Sequence, residues 1–214
     1  PLAIDMMGAL QAFHRNVGDI FMVNAPRLRI VVLAGPEAGR MVYVTRRHDF
    51  QWRGESDAVV RLLRHGVLIV DGDEHDRLRA LMEPPLRQRG LDVYVPSMLR
   101  HTAQVTAGWA EGDVRDMLPE MRRIALLILV DTLFGVDLTP DLDRIWQPIL
   151  KAISYISPGP WLFWPDMPRP AYARPLADLD AYLYEIIQDR RQTPRPAASD
   201  LLSVLVSEPG LSDD

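Results

Sequence analysis

His75 and Arg79 stand four residues apart behind an acidic turn, in the stretch "LIVDGDEHDRLRALM" (68–82). Residues i and i+4 of a helix share a face. The imidazole and the guanidinium would therefore project together from the first turns of a helix. A guanidinium makes forked hydrogen bonds to carboxylates, and a neighbouring imidazole adds a further donor. The pair suits an anionic group of a ligand. The competing reading is a solvated charged face, with local salt bridges to Asp71 or Glu74. Spacing alone leaves both open.

Other chemistries fit less well. Counted from Asp71, acids fall at positions 1, 3 and 6, but a calcium loop needs glycine at position 6 and glutamate at 12, where Asp76 and Met82 stand. His14, His48, His65, His75 and His101 form no H-x-x-x-H or H-E-x-x-H pair, so zinc hydrolysis has no support. There is no G-x-S-x-G elbow, no G-x-G-x-x-G and no P-loop. The 214 residues contain no cysteine, hence no disulfide, thiolate nucleophile or thiolate metal site. A net charge of -5 argues against wholesale nucleic-acid binding. The most apolar run, "IALLILV" (124–130), is closed by Asp131. It is far shorter than the roughly 20 residues of a spanning helix. With no signal peptide visible after Pro1, the expectation is a cytoplasmic protein without a membrane partner.

The elements that must position these residues follow from periodicity. Residues 6–17 carry apolar positions at helical spacing and stop at Gly18. "DIFMV" (19–23) and "RLRIVVLA" (27–34) are β-rich runs joined by "NAP", which predicts a hairpin. Gly35, Pro36 and Glu37 start a helix that should run to about Arg47. From Asp71 onward the chain reads helical, near 73–88, 91–110, 117–134, 140–156 and 171–191, with a short capped helix at 199–208. "SPGPWLFWPDMPRP" (157–170) is a proline-rich loop with three large aromatics. "PGLSDD" (209–214) is a helix-start signal, with Ser212 as N-cap and Asp213 and Asp214 in a first turn, so a further helix is expected to begin there.

The stretch "LIVDGDEHDRLRALMEPPLR" resembles the C-helix segment of cytochromes P-450, the haem-thiolate monooxygenases. The resemblance continues in order along the chain. "LQAFHRNVGDIFMV" looks like the first helix and strand, and "RLRIVVLAGPEAGRMVYVTRRHDF" like the second strand and the following helix. "IALLILVDTLFGVDL" resembles the buried E helix, and "SDLLSVLVSEPGLSDD" the segment leading into the long I helix. One departure is Leu86, where the family usually has an aromatic. The larger departure is the absence of the I-helix oxygen-handling motif, the E-x-x-R pair and the cysteine loop.

The resemblance implies a mainly α, P-450-like helical fold with a small N-terminal β-hairpin, truncated, with residues 1–214 forming the N-terminal portion of one domain. It implies haem as cofactor, its iron ligated by a cysteine outside this chain. His75 and Arg79 would bind the propionates. Leu68 and Ile69 would lie near the haem edge, or simply pack in the core. Val60, Leu63 and Val67 are candidates for the substrate cavity. Trp161, Phe163 and Trp164 would belong to a lid, or tuck against neighbouring helices. Arg77, Arg87 and Arg89 are candidates for the face that meets an electron-donor protein of ferredoxin or flavoprotein type, with a solvated basic face as the alternative. The parent enzyme would insert one oxygen atom from O2 into a small organic substrate; this chain alone, without the cysteine, should be inactive. The competing class is a non-catalytic truncated homologue acting as a binding or oligomeric scaffold module.

Overall fold

A computed structural model describes residues 6–25, 28–51, 54, 57–86, 92–157, 159, 161, 164, 166–196 and 200–213. The chain forms two compact units, Pro1–Arg64 with Ile156–Pro168, and His65–Tyr155 with Arg169–Asp214. The described residues are mainly helical, with one two-stranded antiparallel sheet.

In the first unit, α1 (Met6–Val17) ends where the Gly18 N–H donates to the His14 carbonyl at 3.0 Å. Strands β1 (Ile20–Ala25) and β2 (Leu28–Leu33) form the expected hairpin, with Ile20 opposite Leu33 and Met22 opposite Val31. Strand side chains alternate between faces, and so Phe21 is buried beside Phe13 (ring centroids 5.8 Å apart) while Ile20 and Met22 are exposed. Helix α2 (Pro36–Arg40) starts on its proline, as expected. It does not continue as an α-helix to Arg47: Met41–Thr45 is a π-helical turn and Arg47–Asp49 a 3-10 turn. The run Val42, Tyr43, Val44, Thr45 is β-branched and aromatic, and such side chains crowd an α-helical turn. Helix α3 (Ala58–Leu63) lies in a stretch to which the sequence patterning assigns no element. It is too short to show a period, and its visible sign is the cap, Asp57 accepting from the Val59 N–H at 2.8 Å.

The second unit contains α4 (Gly72–Leu86), α5 (Val95–Thr106), α6 (Met117–Phe134), α7 (Leu142–Ile156), α8 (Pro170–Gln192) and α9 (Leu201–Ser207). Its core joins Leu127 and Val130 of α6, Leu138 of the connection, Ile145 of α7 and Tyr182 of α8. Burying a side chain of this size contributes about 1.5–3 kcal/mol. Helix α5 begins later than the sequence suggests, at Val95, because Pro96 suits only a first turn. Helices α5 and α6 are tied at Asp131, which accepts from Ser97, Arg100 and His101 Nε2, the last at 3.0 Å.

Helix α6 stops at Gly135, whose φ of +61 is left-handed; a Cβ there would sit 2.7 Å from Arg195 Nη1 and 2.9 Å from Asp200 Oδ2. Below Gly135 lies a buried ion pair. Arg190 Nη1 donates to both oxygens of Asp200, at 2.6 and 2.8 Å, and to Ser203 Oγ, while Nη2 donates to the Phe134 carbonyl at 2.6 Å. Residues 211–213 are not helical. Asp213 accepts from Arg191 Nε and Gln188 Nε2 of α8, both at 2.8 Å. No helix among the described residues is long and apolar enough to cross a membrane.

Candidate functional site

The acidic turn enters α4 through Gly72, which takes a φ of +63 that other residues adopt at a cost. Asp73 and Glu74 then occupy the first turn, where negative charge complements the helix N-terminus. Leu78 is the buried residue that anchors α4. Its charged face follows from that anchor.

His75 and Arg79 lie one turn apart on this face. His75 is about a third exposed, and its Nδ1 is 3.0 Å from Asp76 Oδ1. A carboxylate only accepts, so the Nδ1–H donates. Arg79 is exposed and forms no hydrogen bond or ion pair with any described residue. The local salt bridge that would have explained it goes elsewhere. Glu74 accepts from Arg77 at 2.9 and 3.2 Å, and Arg77 also reaches Glu208, the residue that follows α9, at 3.5 Å. The Arg77 guanidinium holds the Glu74 carboxyl below the usual carboxylate range. One guanidinium of α4 is thus compensated, and the other presents its forked donors to solvent.

The turn before α4 carries three more expected residues. Ile69 donates its N–H to the Gly66 carbonyl at 2.8 Å and is half-buried, as is Val67, while Leu68 is 61% exposed. Val60 and Leu63 sit on α3 in the first unit, half-buried and exposed respectively. Trp161, also there, donates Nε1–H to the Ser157 carbonyl at 2.9 Å and lays its ring against Gly159. Trp164 is 53% exposed. Phe163, Arg87 and Arg89 lie outside the described residues.

Asp76 as a partner of His75 is not signalled by helical spacing, since adjacent residues of a helix do not face each other. The sequence reading also missed the Arg190–Asp200 pair, for which "SDLLS" shows the cap but not the long-range arginine. No group of three or more histidines and carboxylates among the described residues is placed to hold a metal ion.

The family model for cytochrome P450 matches residues 4–213. Among curated relatives, abscisic acid 8'-hydroxylase 3 of Oryza sativa is 27% identical over 196 residues, 90% of this chain and 38% of that protein. Putative cytochrome P450 139 of Mycobacterium tuberculosis is 28% identical over 206 residues, 93% of this chain and 47% of that protein. Among solved structures, retinoic acid-bound cyanobacterial CYP120A1 superposes with a TM-score of 0.75 at 21% identity, covering 97% of this chain and 47% of its own. The P450DA heme domain gives 0.73 at 17% identity, covering 97% and 49%. The chain therefore spans less than half the length of these relatives. With a helical fold of this order and a family match running almost end to end, the chain belongs to the cytochrome P450 family.

Proposed function

We propose that this chain is the N-terminal part of a single P450 domain in a haem-dependent monooxygenase, and that α4 supplies its haem-propionate contacts. The observation that carries this reading is the exposed Arg79, without a partner among the described residues, beside His75 on one helix face. Two adjacent donors of this kind fit the carboxylates of haem. When bound, haem supplies the chemistry by which one oxygen atom of O2 enters an organic substrate. This chain's part is to bind and orient. Arg79 and His75 would hold the propionates, with Leu68 and Ile69 near the haem edge. Val60, Leu63 and Val67 are the candidates for the substrate cavity, and Trp161, Phe163 and Trp164 those for a lid. The iron ligand, a cysteine, lies outside these residues, and the chain alone is inactive.

An electron-donor protein of ferredoxin or flavoprotein type completes the system. The candidates for that docking face are Arg87, Arg89 and Arg77, the last of which pairs with Glu74 and Glu208. Arg87→Glu should slow reduction of the intact enzyme in a salt-dependent way. The protein is assigned to the cytoplasm.

The test is the absorption spectrum of the intact protein, reduced and exposed to carbon monoxide. The strongly red-shifted band of a thiolate-ligated haem is expected. A protein that takes up no haem would contradict the reading and favour the non-catalytic scaffold. Leu99, Leu118 and Leu129, 66%, 57% and 48% exposed, would then be covered by self-association.

A further inference from the structure

We infer that Asp76 is a positioning residue that makes anion binding by His75 depend on the uptake of one proton. The inference rests on the assignment of α4 as the haem-propionate face. The Asp76 carboxylate is 3.0 Å from His75 Nδ1 and accepts its hydrogen. A neutral imidazole has one N–H, and here Asp76 engages it. Nε2 is then a bare acceptor, which repels a propionate oxygen rather than bonding it. His75 donates to an anion through Nε2 only as the imidazolium, with Nδ1–H on Asp76 and Nε2–H on the ligand. Ligand binding and protonation of His75 are therefore linked, and each favours the other. Arg79 behaves differently, because a guanidinium keeps its charge at any physiological pH. The two donors divide the work: Arg79 gives a constant attraction and His75 a pH-dependent one.

On α4 and its lead-in, Asp71, Asp73, Glu74 and Asp76 precede or flank His75, with Arg77 and Arg79 following; from the residue after α9, which is packed against α4, comes Glu208. Arg77 is engaged by Glu74 and Glu208. Arg79 remains as the cation without a partner among the described residues.

The experiment measures haem release to an excess of apomyoglobin from the intact haem protein, between pH 5.5 and 8.5. Wild-type release should be about tenfold faster at the alkaline end of that range than at the acid end, the loss of one charge-assisted hydrogen bond. In Asp76→Ala the neutral imidazole is free to place its hydrogen on Nε2, and the profile should flatten. His75→Gln should also be flat. Arg79→Ala should release haem faster at every pH with the wild-type slope intact. A wild-type slope retained in Asp76→Ala overturns the inference while leaving the propionate assignment standing. If neither His75→Gln nor Arg79→Ala alters release at any pH, the propionate assignment fails first. Circular dichroism of the haem-free forms checks that Asp76→Ala keeps its helix content, and Asp76→Asn, which keeps an acceptor without charge, should give an intermediate slope.

Discussion

Two arginines of the same structural unit, Arg190 and Arg79, are used in opposite ways. Arg190 is 3% exposed, and its terminal nitrogens donate to Asp200, Ser203 and the Phe134 carbonyl. Arg79 is exposed and has no partner among the described residues. The first joins the end of α6, the end of α8 and the start of α9, and a buried charge tolerates nothing less than full pairing. The second sits where solvent meets its charge at little cost. Full satisfaction marks an arginine that holds the fold together, and the proposed function gives the exposed one to a ligand.

The contrast breaks most easily at Arg190. Arg190→Met should destabilise the intact protein by about 3–5 kcal/mol, because the buried Asp200 carboxylate loses its guanidinium counter-charge. Urea unfolding monitored by circular dichroism measures this, and a loss under about 1 kcal/mol would remove the distinction between the two arginines. Gly135→Ala should cost about 1–2 kcal/mol by the same measurement, since it forces a left-handed φ on alanine and pushes a methyl toward Arg195 and Asp200. Ser203→Ala should cost about 1 kcal/mol, one hydrogen bond from Arg190.

Acid sharpens the comparison. Burial pushes the Asp200 carboxyl up, but the Ser203 N–H, Arg190 and the Ser203 hydroxyl together outweigh it and hold the group below the usual carboxylate range. The folded state then binds this proton less readily than the unfolded chain. The stabilisation is present above the unfolded value of about 3.9 and is lost as pH falls through the folded one. Ser203→Ala should shrink this acid-dependent component, and Arg79→Ala should not touch it. At the alkaline end, burial and the nearby Asp141 push the Tyr182 phenol up to about 12. Ultraviolet titration should show the Tyr182 phenol still protonated near pH 11, and Tyr182→Phe should abolish its late step.

Much of this was legible in the residues. The spacing of His75 and Arg79, the hairpin, the helix α6 from its apolar run to Gly135, and the start of α2 at Pro36 all appear where local chemistry puts them. The π-helical turn after α2 was not, because crowding by Val42 to Thr45 is resolved only by the actual backbone path. Helix α3 was too short for a period. The Arg190–Asp200 pair joins residues across a linker, and nothing local says which arginine will meet which acid. The same blindness affected the site: local pairing of Glu74 was equally consistent with Arg79 and Arg77, and only the three-dimensional arrangement gives it to Arg77.

The most direct measurement compares haem retention and haem-free stability in Arg79→Ala of the intact protein. Arg79→Ala should release haem about tenfold faster or more, while the haem-free form unfolds within about 0.5 kcal/mol of wild type. Arg79→Lys should restore only part of the retention, since it keeps the charge and loses the fork. Unchanged haem release, or a loss of haem matched by a comparable loss of haem-free stability, would contradict the claim that this guanidinium is kept for a ligand.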